Sequence, residues 1–370
     1  MLNIVNVISD TNIGGAGRML LSYLRNADRQ GFSHTVILPE GSLLADEIKA
    51  LGINCRAVRG MADSSFGPRA VRGLAKLFSE IKPDIVHTHA AMSARLAARI
   101  YGKCRVVHTR HSVFDQAAWK KRFPAKNILG AVNNGLSDKI IAVSPAAKEN
   151  IAETGANPDK IEVIFNGVDR AVSFSGEERA AAREGYCLNP EDFVLAMVSR
   201  LEPVKGHETA LNALKILSGF QDIKLLIAGT GSAEMELRSK AFGLGLKNCI
   251  FTGFVSDIHR IENIMDLQIN ASYGTEATSL ALLEGMSLGK PAVVSDFGGN
   301  PHVISHGENG LVFQRKSAAA LAGAILNIYN DRELYAALSA KAAEAYERRF
   351  TAKAMAENID KLYRALAERG

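Results

Sequence analysis

The chain's 370 residues are 47% hydrophobic and 22% charged, with 32 Gly and 10 Pro. This excludes disordered, collagen-like and disulfide-scaffold classes, and the length suits a pair of domains of ordinary size. The formal net charge of +5 is unevenly placed: residues 1–170 hold 23 Lys and Arg against 15 Asp and Glu, whereas residues 171–370 hold 21 against 24.

In chain order, the first half alternates short branched runs with amphipathic stretches. A strand is predicted at 4–8, then a glycine turn, Gly14-Gly15-Ala16-Gly17, then a helix with the apolar face Ala16, Met19, Leu20, Tyr23 and Leu24. Strands follow at 35–38, 85–87, 105–108, 140–143 and 161–165, with helices at 42–51, 67–80, 91–101 and 145–153 between them. Residues 171–191, rich in Ser, Gly, Glu and Ala and containing Pro190, are expected to be the junction. The second half repeats the pattern, with strands at 193–198, 224–228, 249–252, 267–270, 291–295 and 311–313. Its helices are expected near 207–217, 232–242, 258–263, 279–288 and 317–329. The tail from Glu333 to Glu368 is helical in composition, with a break at Phe350–Thr351. Strands separated by helices imply parallel sheets covered on both faces, hence an α/β protein of two facing Rossmann-like domains with ligands outside the carboxyl ends of the strands.

Cys55, Cys104, Cys187 and Cys249 stand alone, with no Cys pair or Cys/His cluster to suggest redox chemistry or structural zinc. The chain start shows no basic segment leading into an apolar run with a small-residue cleavage site. No stretch reaches about 18 uncharged apolar residues. A cytoplasmic location is expected, with peripheral contact at the inner face of the membrane.

The glycine turn is a poor dinucleotide fingerprint, because GxGxxG is not matched and no acid is obvious at the end of the second strand, where Pro39-Glu40-Gly41 begins a loop; no P-loop occurs either. It still lets backbone N–H groups and a helix N-terminus approach an anion. Gly229-Thr230-Gly231 is a second such turn, more readily explained as a tight strand-to-helix connection. Arg200 and Lys205 follow directly on an apolar strand, at a sheet edge where a pyrophosphate would need two cations; pairing with Glu202 is the rival reading. Glu276 precedes, and Glu284 sits within, a helix that Ser279 can cap. Apolar residues on every side predict burial of this helix, with Glu284 on one stripe with Leu280 and Leu288 and ribose hydroxyls as its partners. Between Arg95 and Lys126 lie nine basic residues and one acid, Asp115. That stretch is either a solvated face or a contact for an anionic acceptor or membrane, with Trp119 and Phe123 as apolar anchors. No recognition motif for nucleic acid accompanies it.

These motifs, in this order, resemble the retaining, nucleotide-sugar-dependent glycosyltransferases of family 4 (glycosyl transferases group 1), which have the two-domain GT-B fold. The resemblance spans essentially the whole chain. It is most specific at Glu276 to Glu284, an E-x7-E pattern followed by Gly289-Lys290-Pro291 and by the loops at Asp296 to Pro301 and Gly307 to Val312. It implies a hexosyl- or N-acetylhexosaminyltransferase using a UDP-sugar, with GDP-mannose second, and a glycan or lipid-linked acceptor in cell-envelope polysaccharide or lipopolysaccharide synthesis. Residues 1–170, joined by helix 351–370, would bind acceptor and 192–350 donor. Arg200 and Lys205 would bind the pyrophosphate, Glu284 the ribose, Glu276 the transferred sugar, and Gly14 and Gly15 a phosphate. Gly253, Phe254 and Val255 would meet the base. His111 is similar to the family's active-site histidine, with His108 the competitor. Ala277-Thr278-Ser279 departs from the usual glycine and aromatic residues after the first glutamate, which bears on donor identity. No DxD motif is present, so no metal and no cofactor besides the donor substrate are expected. Other readings are an NDP-sugar 2-epimerase, a phosphorylase, or a non-catalytic sugar-nucleotide-binding protein.

Overall fold

A computed structural model describes residues 1–368. The chain divides into two compact units, Met1–Val168 with Thr351–Gly370, and Asp169–Phe350.

The first unit holds strands β1 (Leu2–Ile8), β2 (Phe32–Pro39), β3 (Asn54–Val58), β4 (Ile85–His89), β5 (Arg105–Arg110), β6 (Lys139–Ala142) and β7 (Ile161–Val163). They form one parallel sheet in the order β3-β2-β1-β4-β5-β6-β7. Helices α1 (Gly15–Asn26), α2 (Leu44–Ala50), α3 (Pro68–Ile81), α4 (Met92–Tyr101), α5 (Ala125–Leu136) and α6 (Pro145–Ala152) connect them. Strand alternation sorts the core into two layers. Ile4, Ile8, Ile85 and Val107 pack with α1 and with the last helix of the chain, through Met355, Ile359 and Tyr363. Val5, Val7, Val86 and Val106 pack on the opposite face with α3 and α4, through Leu74, Phe78 and Ala94.

The second unit opens with α7 (Gly176–Glu184), closed by a Ser175–Glu178 capping box, so the stretch expected as a junction carries a helix of this unit. Its strands are β8 (Phe193–Val198), β9 (Ile223–Ala228), β10 (Cys249–Gly253), β11 (Leu267–Asn270), β12 (Ala292–Ser295) and β13 (Gly310–Phe313), parallel in the order β10-β9-β8-β11-β12-β13. The helices are α8 (His207–Ile216), α9 (Glu234–Gly243), α10 (His259–Ile264), α11 (Leu280–Ser287), α12 (Asn300–Val303), α13 (Ala318–Asn330) and α14 (Arg332–Arg349). The chain then breaks at Phe350 and Thr351, and α15 (Ala352–Ala367) returns to the first unit.

In each sheet the strand order reverses beside the first strand, between β1 and β4 and between β8 and β11. The carboxyl end of that reversal is where an open α/β sheet leaves a crevice for ligand. Besides α7 and the short α12, a strand and a helix were not expected from the sequence. Strand β3 is an edge strand whose Asn54, Arg56 and Ala57 are exposed, so it lacks an apolar signature. Helix α5 carries two glycines and three asparagines; it forms because Gly130 packs directly on the backbone of Gly155, where a side chain would collide.

Candidate functional site

At the carboxyl edge of the second sheet, β8 runs into Ser199-Arg200 and a 3-10 turn at Pro203–Lys205 before α8 begins. Gly206 caps α8 with φ +75°, and a side chain there would run into the Ala271 carbonyl oxygen, so only glycine fits. This docking of the turn onto the residue after β11 aims Lys205 at Glu276: Nζ to Oε2 is 2.9 Å, with both side chains largely buried. The same Oε2 accepts from Ser272 Oγ at 3.0 Å and Asn270 Nδ2 at 3.3 Å. Asn300 Nδ2 reaches Asn270 Oδ1 at 3.4 Å and Ser295 Oγ at 3.1 Å. Gly298 and Gly299 press the loop after β12 onto the backbone of Glu276 and Ala277, with Gly299 N donating to Glu276 O at 3.1 Å. Lys205 keeps N–H donors beyond the one given to Glu276, so it can neutralise an anion while Glu276 holds it in place. Asn270 and Ser272 carry no motif of their own, whereas Asn300 belongs to the loop at Asp296 to Pro301; the pairing of β11 with β12 places these segments side by side.

Arg200 is exposed and makes no ion pair among the described residues. Glu202, the rival partner, accepts from Ser232 Oγ at 2.7 Å; the bonds from Ser232, and then the charge of Arg200, hold its carboxyl below the usual carboxylate range. The Gly229-Thr230-Gly231 turn has a packing explanation, since side chains at either glycine would strike the backbone of Ser199 or Leu201. Gly253 has φ +70° at the end of β10, with open space where a side chain would stand; Phe254 beside it is 74% exposed and Val255 is half-buried.

Helix α11 corrects one expectation. Ser279 caps it, accepting from Leu282 N at 3.4 Å, but the helix is not buried all round. Leu282, Leu283, Gly285 and Met286 face the interior, whereas Leu280, Glu284 and Leu288 are only half-buried. Glu284 thus lies on the wetter stripe, where hydroxyl groups of a ligand can reach it. Its charge also helps raise the pKa of His259, after the hydrogen bond that His259 Nδ1–H donates to Glu262.

In the first unit, Gly14 and Gly15 open α1 at the carboxyl end of β1. Neither has a positive φ; a Cβ at Gly15 would meet nothing, and one at Gly14 only Asp10 Oδ2 at 3.8 Å. Gly17 differs, because a Cβ there would lie 2.9 Å from Leu44. A histidine row starts beside this turn. His87 bonds Tyr363 Oη and Thr109 Oγ1, both at 2.6 Å. His89 Nδ1 meets His111 Nε2 at 3.0 Å and its Nε2 lies 3.5 Å from Asn6 Oδ1. With His89 Nε2–H directed at Asn6, His89 Nδ1 accepts the Nε2–H of His111, which leaves the lone pair of His111 on Nδ1. Burial, and then the charge of Arg110, push the His111 pKa down to about 4, so this imidazole is neutral near pH 7. His108 is buried on the other face of the sheet, 3.4 Å from Thr88 Oγ1.

The basic stretch is not uniform. Arg99 is paired with Asp138 at 3.1 Å and Lys121 with Glu153 at 2.7 Å. Arg122 and Lys126 are exposed, beside exposed Trp119, Phe123 and Ile128. No helix among the described residues is long and apolar enough to cross a membrane.

Residues 178–345 match the family described as glycosyl transferases group 1, and residues 13–172 match Glycosyltransferase Family 4. Among known proteins, the putative glycosyltransferase EpsD of Bacillus subtilis (strain 168) is 28% identical over 73% of this chain and 74% of its own. A UDP-Gal:alpha-D-GlcNAc-diphosphoundecaprenol alpha-1,3-galactosyltransferase of Escherichia coli is 26% identical over 87% of this chain and 86% of its own. The fold is that of Anabaena Alr3699/HepE, solved in complex with UDP, with TM-score 0.86, 20% identity, and coverage of 98% and 100% of the two chains. The protein is a glycosyltransferase of GT-B architecture, related to both families.

Proposed function

We propose that the protein transfers a hexosyl or N-acetylhexosaminyl group, with retention of anomeric configuration, from a UDP-sugar to a hydroxyl of a lipid-linked or glycan acceptor in cell-envelope polysaccharide or lipopolysaccharide synthesis. The observation that carries the donor half is the buried Lys205–Glu276 pair beside the unpaired Arg200, at the strand-order reversal of the second sheet. A pair of cations there suits a diphosphate leaving group. Glu276 is then a holder of sugar hydroxyls and of Lys205, and Glu284 on the half-buried stripe suits ribose. Gly253, Phe254 and Val255 offer backbone and an exposed ring to the base. The preference for UDP and for a lipid-linked acceptor is supported by the name of the Escherichia coli relative.

In the reaction the bond from the anomeric carbon to the diphosphate oxygen breaks as the acceptor oxygen bonds to that carbon on the same face. The acceptor's proton passes to the departing phosphate. Arg200 and Lys205 stabilise the charge that develops there, as preorganised donors rather than as a rearranging shell. Within the first unit, the open amides at Gly14 and Gly15 suit a phosphate oxygen. Neutral His111 presents a lone pair to a hydroxyl of donor or acceptor and positions it. Glu276 and Glu284 have the residue type of a glycosidase pair, but Lys205 occupies Glu276, so it is not poised as an acid.

The exposed Trp119, Phe123 and Ile128 among Lys120, Arg122 and Lys126 suit an anionic membrane surface that carries the acceptor. The test is to incubate the purified protein with UDP-, GDP- and ADP-sugars and a membrane lipid extract, with and without EDTA, and to identify nucleotide and glycolipid by mass spectrometry. The expected result is UDP release coupled to a glycosylated lipid and insensitive to EDTA. UDP-sugar consumed without acceptor, with a 2-epimer as product, would favour the epimerase reading instead.

A further inference from the structure

Two arginines are buried among the described residues, and one of them is caged. Arg183 is 3% exposed, and its guanidinium is paired with Asp266 at 2.7 Å and bonded to the carbonyls of Ile264, Pro190 and Asp192. Arg95 on α4 is 5% exposed and has none of this. Its Nη1 donates to one neutral amide oxygen, Asn133 Oδ1, at 3.1 Å, and its Nε is buried with no partner. Arg110, half-buried at the end of β5, repeats the pattern in part: its guanidinium lies 4.7 Å from the Phe114 ring centroid, Nη2 reaches Asn150 Oδ1 at 3.2 Å, and Nε is buried and unpartnered. That amide oxygen is already shared with Phe114 N at 3.3 Å and Gln116 Nε2 at 3.2 Å. Neither arginine has a carboxylate partner among the described residues. A desolvated charge without a counter-ion is costly, and a pair of them is costlier still. The two are close enough to act on one another: burial, then the charge of Arg110, push Arg95 down to about 10, and both depress His108.

We propose that Arg95 and Arg110 form a binding site for a phosphoryl group, and that this group belongs to the acceptor. A phosphate reaching the half-buried side of Arg110 supplies the missing counter-charge and accepts from guanidinium N–H groups, a geometry to which the guanidinium fork is suited. Arg110 and Asn133 are half-buried, so the pair opens to solvent on that side. Alternation along β5 puts Arg110 on the α4 face of the sheet, and the next residue, His111, on the side of His89. A phosphoryl group at Arg110 therefore sits just across the strand end from the imidazole, and the acceptor hydroxyl would reach over that end. The assignment to the acceptor rests on the reading of the protein as a transferase working beside His111; the phosphate site itself does not.

The test separates the two. In phosphate-free buffer with saturating UDP, which occupies the donor site, inorganic phosphate should raise the melting temperature of the parent beyond chloride of equal ionic strength. It should also bind with a measurable heat. Arg95→Met should melt at the same temperature or higher without phosphate and lose the phosphate-dependent rise. Arg110→Gln should bind phosphate ~10- to 100-fold more weakly, as expected for a lost charge-assisted bond. No phosphate effect on the parent would overturn the site. An Arg95→Met that fails to fold, or melts lower with the phosphate effect intact, would show the arginine to be structural and overturn it likewise. In the transfer assay, inorganic phosphate should raise the KM of a phosphate-bearing acceptor and leave that of the UDP-sugar unchanged. Phosphate that binds without competing would make the site one for the free ion and overturn the assignment to the acceptor.

Discussion

Gly14, Gly15 and Gly17 lie within one turn, yet their surroundings set them apart. Gly17 is fixed by its contact with Leu44, whereas Gly15 has neither a positive φ nor a neighbour that excludes a side chain. If its role is to let a ligand approach the amides of α1, Gly15→Ala should leave the melting temperature unchanged or slightly raised, because Ala is the better helix former. Transfer should nonetheless fall by ~10-fold or more. A stable variant with parental kcat/KM would leave the turn without a ligand. Gly206 is the opposite case: its φ of +75° and the Ala271 carbonyl allow no side chain, so Lys-Gly at 205–206 is one device, a cation held by the turn that follows it. The sequence displays both residues but not the reason for the second, because the collision is with a backbone 65 residues away. Asn270 and Ser272 were illegible for the same cause: small polar residues acquire meaning only when adjacent strand ends converge on the Glu276 carboxylate.

Strands β4 and β5 run two residues past their predicted ends, to His89 and Arg110, and these extra residues build the histidine row and the arginine pair. Period-two apolar patterning locates a strand by its core and loses it where polar side chains are buried against one another. Helix α11 shows the converse: its composition is apolar on every side, and only its packing separates the dry face of Leu283 and Met286 from the half-buried stripe of Glu284.

The histidine row has a consequence for stability. His87 is pushed down to about 3 and His111 to about 4, chiefly by burial, and His89 and His108 well below their ordinary value. Groups with a folded pKa below the unfolded value of about 6.5 are fully stabilising above that pH. They lose this as pH falls toward the folded values, because the unfolded chain takes up protons that the folded one refuses. In the second unit, His207 behaves in the same sense, but His259 is shifted upward by its bond to Glu262 and opposes it. Hydrogen exchange between pH 7 and 5.5, corrected for intrinsic rates, should therefore show protection lost first in β4 and β5 and later in β8 and β11. Equal loss in both sheets would contradict the assignment of buried neutral imidazoles.

At the scale of the whole molecule, the uneven charge of the sequence has separate structural uses. Of the nine basic residues between Arg95 and Lys126, Arg99 and Lys121 are neutralised by acids, Arg95 and Arg110 turn inward, and Arg122 and Lys126 stand exposed near Phe123 and Ile128. If this last group docks on membrane, replacing Lys120, Arg122 and Lys126 by Ala should reduce flotation with anionic vesicles and transfer to the lipid acceptor, with donor affinity unchanged. Added salt should also release the parent, since attraction between exposed charges is screened over about 8 Å at physiological ionic strength. Flotation that ignores both salt and the substitutions would leave this a solvated face. Parallel strands, glycine turns and the E-x7-E spacing were legible in order along the chain. Which basic residues face ligand, acid or solvent was not, because that depends on partners such as Asp138, Asn133 and Asn150, drawn from other elements.

The claim that Arg200 and Lys205 receive the donor's diphosphate is tested most directly by comparing the calorimetric affinities of UDP and uridine for the parent and for an Arg200→Ala, Lys205→Met double variant. The account predicts that the parent prefers UDP by ~100-fold or more, as expected from charge-assisted bonds to phosphate, and that the variant loses most of that preference while binding uridine as before. A folded double variant that still prefers UDP over uridine as strongly as the parent would contradict it.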